Sequence, residues 1–284
     1  MKRRATRAAL VLLIGIGAGA GAVAAEFATK LTPEITAAQA RPTPRSASGH
    51  PVLTGHWKFS TPIEIFFPKH DALSGPHVAL PLPGLADANV GDHRNVAARL
   101  ADTAARPVYR STEDQQHALD NFNRAALLDP AFLCTPPGTP RIGNPPEIVE
   151  GPDAVYLLYG TLNQFRVIPT HRSGHDPDKD PLPYGDSIGH WEHDTLVIDT
   201  VNIQEDTWLD GDGSFHSKDM HVIERLTRKG DALIYDVTVE DPIFAQPFVM
   251  RTRYSLFDHE GGHVAEDYPC IEKDRSHMVT TERH

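Results

Sequence analysis

The run GDSIGHWEHDTLVIDTVN, from Gly185 to Asn202, contains two short strand patterns separated by a pair of turn residues. Apolar side chains alternate or cluster at strand-like spacing on either side of His193 and Asp194, which predicts a hairpin with a tight turn at those two residues. The chain that follows is rich in ionisable side chains as far as His221. This stretch therefore predicts a β-rich fold and locates a candidate site beside the hairpin.

Most of the chain beyond Pro146 has further strand patterns. Their linkers are short, as at Gly160–Leu162 and Lys229–Asp231, and such spacing is typical of consecutive antiparallel hairpins. A long meander tends to close because closure removes exposed edges. We expect a mainly β protein with an antiparallel up-and-down barrel or strongly curled sheet, and a two-sheet sandwich is the alternative. The predicted strands are Val52–Ser60, Ile63–Phe67, Glu147–Val149, Ala154–Tyr159, Asn163–Pro169, Ser187–Glu192, Thr195–Asn202, His221–Arg228, Ala232–Glu240, Phe248–Leu256 and Val264–Ile271.

Two helical patterns precede most of these strands. Apolar residues four apart predict one helix over Asp92–Ala105, and a second helix over Thr112–Leu128 has Ser111 available as its N-cap. The prolines of Cys134–Pro140 end any helix there, because proline lacks the backbone donor and fixes the backbone. Residues 52–284 therefore constitute one predicted barrel-like domain with a small two-helix insertion at about 92–128.

The first 25 residues have the layout of a secretory signal peptide. Basic residues come first, the apolar run Ala8–Ala24 follows, and small residues surround the expected cleavage site near Ala25. The alternative is an uncleaved membrane anchor, although the run is short for a spanning helix. Residues 26–51 lack apolar periodicity and predict a flexible leader. We therefore expect a periplasmic or secreted protein without a transmembrane segment in its mature chain.

The charge balance of the chain is acidic. Its formal net charge is −11, and removal of the four basic residues of the signal peptide makes it about −15. Such a charge disfavours nucleic acid and anionic lipid as partners. The two cysteines of the chain, Cys134 and Cys270, are expected to form a disulfide in an oxidising compartment, and two separate buried thiols are the alternative.

Sixteen histidines are present, and several of them lie in or near the central run. Imidazole suits proton transfer near neutral pH, so we consider His216 and His221 as acid–base groups. Glu224 and Asp186 are the carboxylates that would orient them or act as the acid. On a strand His221 and Glu224 point to opposite faces, which limits the idea of one triad.

Glu224 has two alternative surroundings. In a barrel interior it would form a polar network with Asp236 or Thr238 of the neighbouring strand, and its burial would favour acid catalysis. On a solvated face it would instead pair with Arg251 or Arg253 across the sheet.

Three further residues are candidate ligand contacts. Trp208 and Asp210 lie on a long loop that can cover a ligand, and His190 lies within the first strand of the hairpin. Asp199 interrupts an otherwise buried strand, so it either faces water or has a partner. The sequence has no nucleotide-binding, serine-hydrolase or zinc-helix motif, so we predict neither a cofactor nor a metal.

Two resemblances accompany these patterns. Gly55-His56-Trp57 in the first strand resembles the G-x-W signature of lipocalin-like barrels, which implies that Trp57 closes one end of a barrel. Longer runs, at Cys134–Arg141, Gly185–Thr200 and Thr207–Leu226 and around Tyr268–Glu272, resemble an uncharacterised family of exported bacterial β-rich proteins. The second resemblance implies export, the disulfide and a β-rich fold, but no reaction.

Two functional hypotheses follow. In the first, a polar-lined cavity acts on a small organic molecule by acid–base chemistry, as a hydrolase, lyase or isomerase without an organic cofactor. In the second, the same barrel is a non-catalytic binding protein for a small apolar or amphipathic ligand. The lining of the cavity separates them, because convergent ionisable groups favour an enzyme and an apolar lining favours a carrier.

Overall fold

The computed structural model describes residues 31–60, 106–124 and 128–266 of the chain. These ranges contain helices α1 (Pro33–Gln39) and α2 (Thr112–Asn123) and two short 3-10 helices, at Pro130–Leu133 and Thr161–Asn163. The strands in the same ranges are β1 (Gly55–Phe59), β2 (Glu147–Glu150), β3 (Ala154–Leu158), β4 (Phe165–Pro169), β5 (Asp186–Glu192), β6 (Thr195–Val201), β7 (His221–Lys229), β8 (Ala232–Glu240), β9 (Phe248–Val249) and β10 (Arg253–Phe257).

All of these strands belong to one sheet in which neighbours in the chain are also neighbours in space. β1 to β4 form one meander and β5 to β8 form another, and β10 joins the two by pairing with β8 on one side and β1 on the other. Every hydrogen-bonded pair of strands is antiparallel. The prediction of a mainly β, antiparallel up-and-down barrel is therefore confirmed, and the two-sheet sandwich is excluded.

The barrel remains open along one seam, between β4 and β5. β9 and β10 both pair with β8, so they occupy one position and the barrel has nine positions. An odd number of strands cannot close with antiparallel neighbours throughout, and β4 and β5 consequently run in the same direction. The two strands nevertheless pack closely, since a Cβ added at Gly189 of β5 would lie 2.7 Å from Cγ2 of Ile168 in β4.

The hairpin predicted from the central run is present. β5 and β6 pair from Asp186 with Val201 to Glu192 with Thr195, which leaves His193 and Asp194 as the turn. His193 has a positive φ of 55°, a conformation that tight hairpin turns require. The turn residues therefore set the register of this hairpin.

Side chains alternate between the interior and the outer surface along β7. Val222, Glu224, Leu226 and Arg228 are buried, and the residues between them are only half-buried. This is the period-two pattern of a strand that has one face on a core. Glu224 and Arg228 are thus charged side chains that the pleat places inside the barrel.

Aromatic rings and one guanidinium seal one end of the barrel. Trp57 is fully buried, donates its indole N–H to the carbonyl of Leu53 at 3.0 Å, and meets Phe257 edge to face. The Arg228 guanidinium carbon lies 5.1 Å from the Trp57 ring centroid and 4.7 Å from that of Phe257. Aromatic faces attract a guanidinium, so stacking on the two rings stabilises the buried charge of Arg228.

Residues 31–51, which the sequence predicts to be part of a flexible leader, instead cover this sealed end. Helix α1 buries Ile35 completely, and the N–H of Asp231 donates to the carbonyl of Ala38 at 3.0 Å. The N–H of Gly230 donates to the Thr43 hydroxyl at 2.7 Å. The prediction failed here because a seven-residue helix that buries only Ile35 and Ala38 leaves no periodic apolar pattern.

Most predicted elements differ from the structure by one to three residues at an end, and three differ more. The strand over Phe248–Leu256 divides into β9 and β10, whose pairing with β8 is offset by one residue, as in a β-bulge. The second helix ends at Asn123, with Ser111 confirmed as its N-cap. Residues 264–266 are not in a strand.

The signal peptide, the first helix over Asp92–Ala105, the strand over Ile63–Phe67 and Cys270 all lie outside the described residues. The export route and the Cys134–Cys270 disulfide therefore stay predictions. Within the described ranges, the helices are too short or too polar to cross a membrane.

We expect the Trp57→Ala variant to lose about 3 to 5 kcal/mol of unfolding free energy, because the substitution leaves a cavity at the sealed end. Urea unfolding of the purified protein would measure this loss. Trp191→Ala is the matched control, since Trp191 is only half-buried and stacks on His50. Equal losses for the two variants would show that Trp57 does not seal the barrel.

Candidate functional site

At the end of the barrel opposite Trp57, the described residues leave an open mouth. The last residue of β1, the residues that follow β3 and the first residue of β10 surround a cavity of about 380 Å³ there. This volume is within the range of small-molecule sites in proteins. Its walls combine apolar and polar side chains, and they include Phe59, Ile142, Asn144, Tyr159, Thr161 and Arg253.

A buried polar network occupies the half of the barrel nearest this mouth. Arg166 of β4 donates both terminal nitrogens to the two carboxylate oxygens of Glu224 in β7, at 2.8 and 2.5 Å. The Tyr235 hydroxyl donates to the same carboxylate at 2.5 Å. Arg166 also donates to the hydroxyls of Ser187 in β5 and Thr200 in β6, each at 3.2 Å. One guanidinium from β4 therefore bonds to three strands on the other side of the open seam.

Several polar atoms of this half of the barrel are buried without a hydrogen-bond partner. They are the hydroxyls of Tyr159 and Tyr184, Nε of Arg166 and the amide oxygen of Asn144. Burial raises the pKa of both phenols well above the usual value, so both stay neutral at physiological pH. Natural proteins leave few such groups unpaired, and each one indicates a bound water, strain or a ligand.

Glu224 and His221, which the sequence groups as catalytic candidates, lie on opposite faces of β7. Glu224 is fully buried in the network, whereas His221 faces the outside of the barrel and bonds to Asp199 at 3.0 Å. The opposite orientation predicted from the strand pattern is confirmed. The predicted alternative of a buried polar network around Glu224 is confirmed, but its predicted partners are wrong, because Asp236 and Thr238 lie on the outer face of β8 and Arg166 is the ion-pair partner.

Asp186 is buried at the start of β5 but belongs to the outer surface of the barrel. It accepts hydrogen bonds from both terminal nitrogens of Arg172 at 3.1 Å and from Lys179 at 2.9 Å. Burial alone would raise the pKa of Asp186, but the bonds from Arg172 and Lys179 outweigh it and hold the pKa well below the usual range. Asp186 is therefore an anion that anchors the connection between β4 and β5.

His175 links Asp186 to Asp199 and so to His221. Its two ring nitrogens lie 3.2 Å from Asp186 Oδ2 and 2.8 Å from Asp199 Oδ1. Asp199, which the sequence leaves open between water and a partner, has two imidazole partners. The sequence did not identify His175 as a member of this cluster, because its loop has no regular period.

His216 lies apart from both groups, in a cleft of about 620 Å³ between α2 and the loop that follows β6. Trp208 lines the same cleft, so the structure places these two predicted residues together. The ring of His216 is buried and bonds to the Thr207 hydroxyl at 2.9 Å and to the carbonyl of Ser217 at 2.9 Å. Burial lowers the pKa of His216, which favours a neutral ring.

The remaining predicted ligand contacts have local partners. Asp210 accepts the backbone N–H groups of Asp212 and Ser214 at 2.8 and 3.1 Å, as a turn residue does, and burial raises its pKa. His190 is exposed on β5 and pairs with Glu192 at 3.2 Å. The structure therefore distributes the seven predicted site residues among the barrel interior, its outer face and the loop cleft.

Sequence reasoning missed Arg166, Tyr159, Tyr184 and Arg253 as members of the site. A signal was present in β4, where Phe165 and Val167 are exposed while Arg166 between them is buried. An inverted pattern of this kind, with charge inside and apolar residues outside, indicates a polar interior. In the residues described, no group of three or more His, Cys, Asp or Glu side chains is arranged to hold a metal ion.

Comparisons with known proteins yielded no relative: no protein-family model matches the chain, and neither a curated protein nor a solved structure does. The resemblances stated from sequence motifs therefore stay predictions. Any functional conclusion depends on the geometry of the cavity and the clusters described above.

We expect Glu224→Gln to lose about 3 to 5 kcal/mol of unfolding free energy, because it leaves the Arg166 guanidinium buried without a counter-charge. Glu192→Gln is the matched control, since Glu192 pairs with Arg225 on the solvated outer face. It should lose less than about 1 kcal/mol. Urea unfolding measures the free energy of unfolding of both variants. A Glu224 variant as stable as the Glu192 variant would contradict a buried ion pair.

The lowered pKa of His216 predicts a dependence of stability on pH. Between the folded and unfolded pKa values of His216 the unfolded chain binds more protons than the folded chain. The contribution of His216 to the free energy of unfolding is therefore complete above the unfolded pKa of 6.5 and decreases as the pH falls below it. His216→Gln should therefore lose less stability than the unmutated protein between about pH 7.5 and about pH 5.5 in urea unfolding. His190→Gln, at an exposed site, is the control. An unchanged pH dependence in His216→Gln would refute the assignment.

Proposed function

We propose that the protein binds a small amphipathic molecule in the cavity at the open mouth of the barrel. The observation that carries the proposal is the cavity of about 380 Å³ itself, whose walls place the polar residues Asn144, Tyr159 and Arg253 beside the apolar Phe59 and Ile142. A few polar side chains in an otherwise apolar wall are suited to orient a ligand.

The shape of the barrel supports the same function. The Trp57 end is filled by side chains, whereas the mouth has about 380 Å³ of space and apolar walls from Phe59 and Ile142 beside its polar groups. Sites for small molecules typically combine a mostly apolar lining with a few placed polar groups. The ligand expected here is amphipathic, which corresponds to the second of the two hypotheses derived from the sequence.

The acid–base reaction that the sequence also suggests has less support. Its four candidate residues, His216, His221, Glu224 and Asp186, occupy three separate surroundings, so they do not converge on one cavity. The larger cleft contains His216, but both of its ring nitrogens already have partners. A catalytic role for any of these residues stays a prediction.

Binding can be tested with the neutral fluorescent probe N-phenyl-1-naphthylamine, which emits strongly in apolar surroundings. Titration should give a saturable signal with one probe per protein. Thr161→Trp places an indole at the rim of the cavity and should weaken binding by about tenfold or more. Its control is Thr112→Trp, because Thr112 is exposed at the start of α2 and does not line the cavity.

Two results would refute the proposal. One is the absence of a saturable signal with this probe and with its charged analogue described below. The other is equal probe binding by the Thr161 variant and the Thr112 variant, which would place the probe on an apolar surface elsewhere.

A further inference from the structure

Three arginines among the described residues border the polar half of the barrel and its cavity. Two of them are paired, Arg141 with Asp129 and Arg166 with Glu224. Arg253 also borders this region and lies close enough to Glu224 and Tyr235 to interact with them electrostatically, but it forms no salt bridge with any carboxylate that the structure describes. Glu224 does not form a hydrogen-bonded ion pair with Arg253, because its carboxylate already accepts three hydrogen bonds from Arg166 and Tyr235.

Arg253 faces the mouth cavity with its guanidinium. It lines that cavity, and its Nη1 lies so close to Gly143 that an added Cβ there would be 2.9 Å away. Burial lowers the pKa of Arg253, but a guanidinium keeps its charge at neutral pH even so. The cavity wall therefore carries a positive charge that the neighbouring neutral phenols of Tyr159 and Tyr235 do not balance.

A buried charge without a counter-charge is costly, and a bound anion would remove the cost. The planar fork of arginine matches carboxylate and phosphate groups, to which it can donate two parallel hydrogen bonds.

We infer that the polar group of the ligand is an oxyanion, which the Arg253 guanidinium binds while its apolar part contacts Phe59 and Ile142. This inference rests on the proposed binding function and adds the chemical class of the ligand. It also distinguishes the site from the rest of the protein surface, since the whole chain has a net charge of −11 and would repel anions elsewhere.

The test uses 8-anilinonaphthalene-1-sulfonate, which differs from N-phenyl-1-naphthylamine by its sulfonate group. The unmutated protein should bind the sulfonate at least tenfold more tightly than the neutral probe. Arg253→Gln should lose about tenfold or more of the affinity for the sulfonate, because a charge-assisted hydrogen bond is lost, and should bind the neutral probe as before. Arg253→Lys keeps the charge without the fork and should retain part of the affinity.

Arg225→Gln is the matched control, because it removes one positive charge from the outer face of β7. It should leave the affinity for both probes unchanged. Thermal unfolding of each variant checks that the barrel remains folded. Displacement of the bound sulfonate by octanoate or by octyl phosphate would then identify a carboxylate or a phosphate as the better head group.

The possible failures are distinguishable. Equal binding of the two probes, with no effect of Arg253→Gln on either, would overturn the oxyanion and leave the binding function intact. Displacement by octan-1-ol as effective as that by octanoate and octyl phosphate would also overturn it. If neither probe binds, the proposed function itself is wrong.

Discussion

The buried ion pair between Arg166 and Glu224 is the interaction on which the rest of the barrel depends. With nine strand positions, β4 and β5 would have to pair in parallel to close the barrel, and in this structure they form no ladder of backbone hydrogen bonds. Arg166 extends from β4 across this seam to hydroxyls of β5 and β6 and to the carboxylate on β7. Side-chain hydrogen bonds thus join two strands whose backbones are not paired. Their strength depends on burial, because the same bonds in water would be worth little.

The barrel is divided by this network into two unlike halves. At one end Trp57, Phe257 and Arg228 fill the interior, and helix α1 covers them. At the other end polar side chains surround a cavity, and some of their atoms have no partner. A protein that needed only stability would gain by filling this half with apolar side chains. The charge of Arg253 at the wall of this cavity is the feature on which the proposed ligand binding depends.

The outer face of the barrel has an electrostatic cluster of a different kind. In this cluster carboxylates alternate with imidazoles, in the order Asp186, His175, Asp199 and His221. The hydrogen bonds between them attach the connection between β4 and β5 to the sheet. The connection has to cross from one end of the barrel to the other, because the strands that it joins run in the same direction. Asp186 and His221 were predicted as catalytic candidates, and in the structure both belong to this cluster on the outer face.

The sequence by itself determined the elements that depend on near neighbours in the chain. The hairpin at His193, the Ser111 cap and the alternation that places His221 and Glu224 on opposite faces all follow from local backbone geometry. Only the tertiary structure decided which side chains meet inside the barrel. Arg166 and Glu224 are far apart in the chain, and their pairing depends on the register of four strands and the curvature that brings β4 to β7. The position of Arg253 at the cavity could not be predicted from the sequence for the same reason. Whether a charged side chain is paired depends on its distance to other charges, which only the tertiary structure gives.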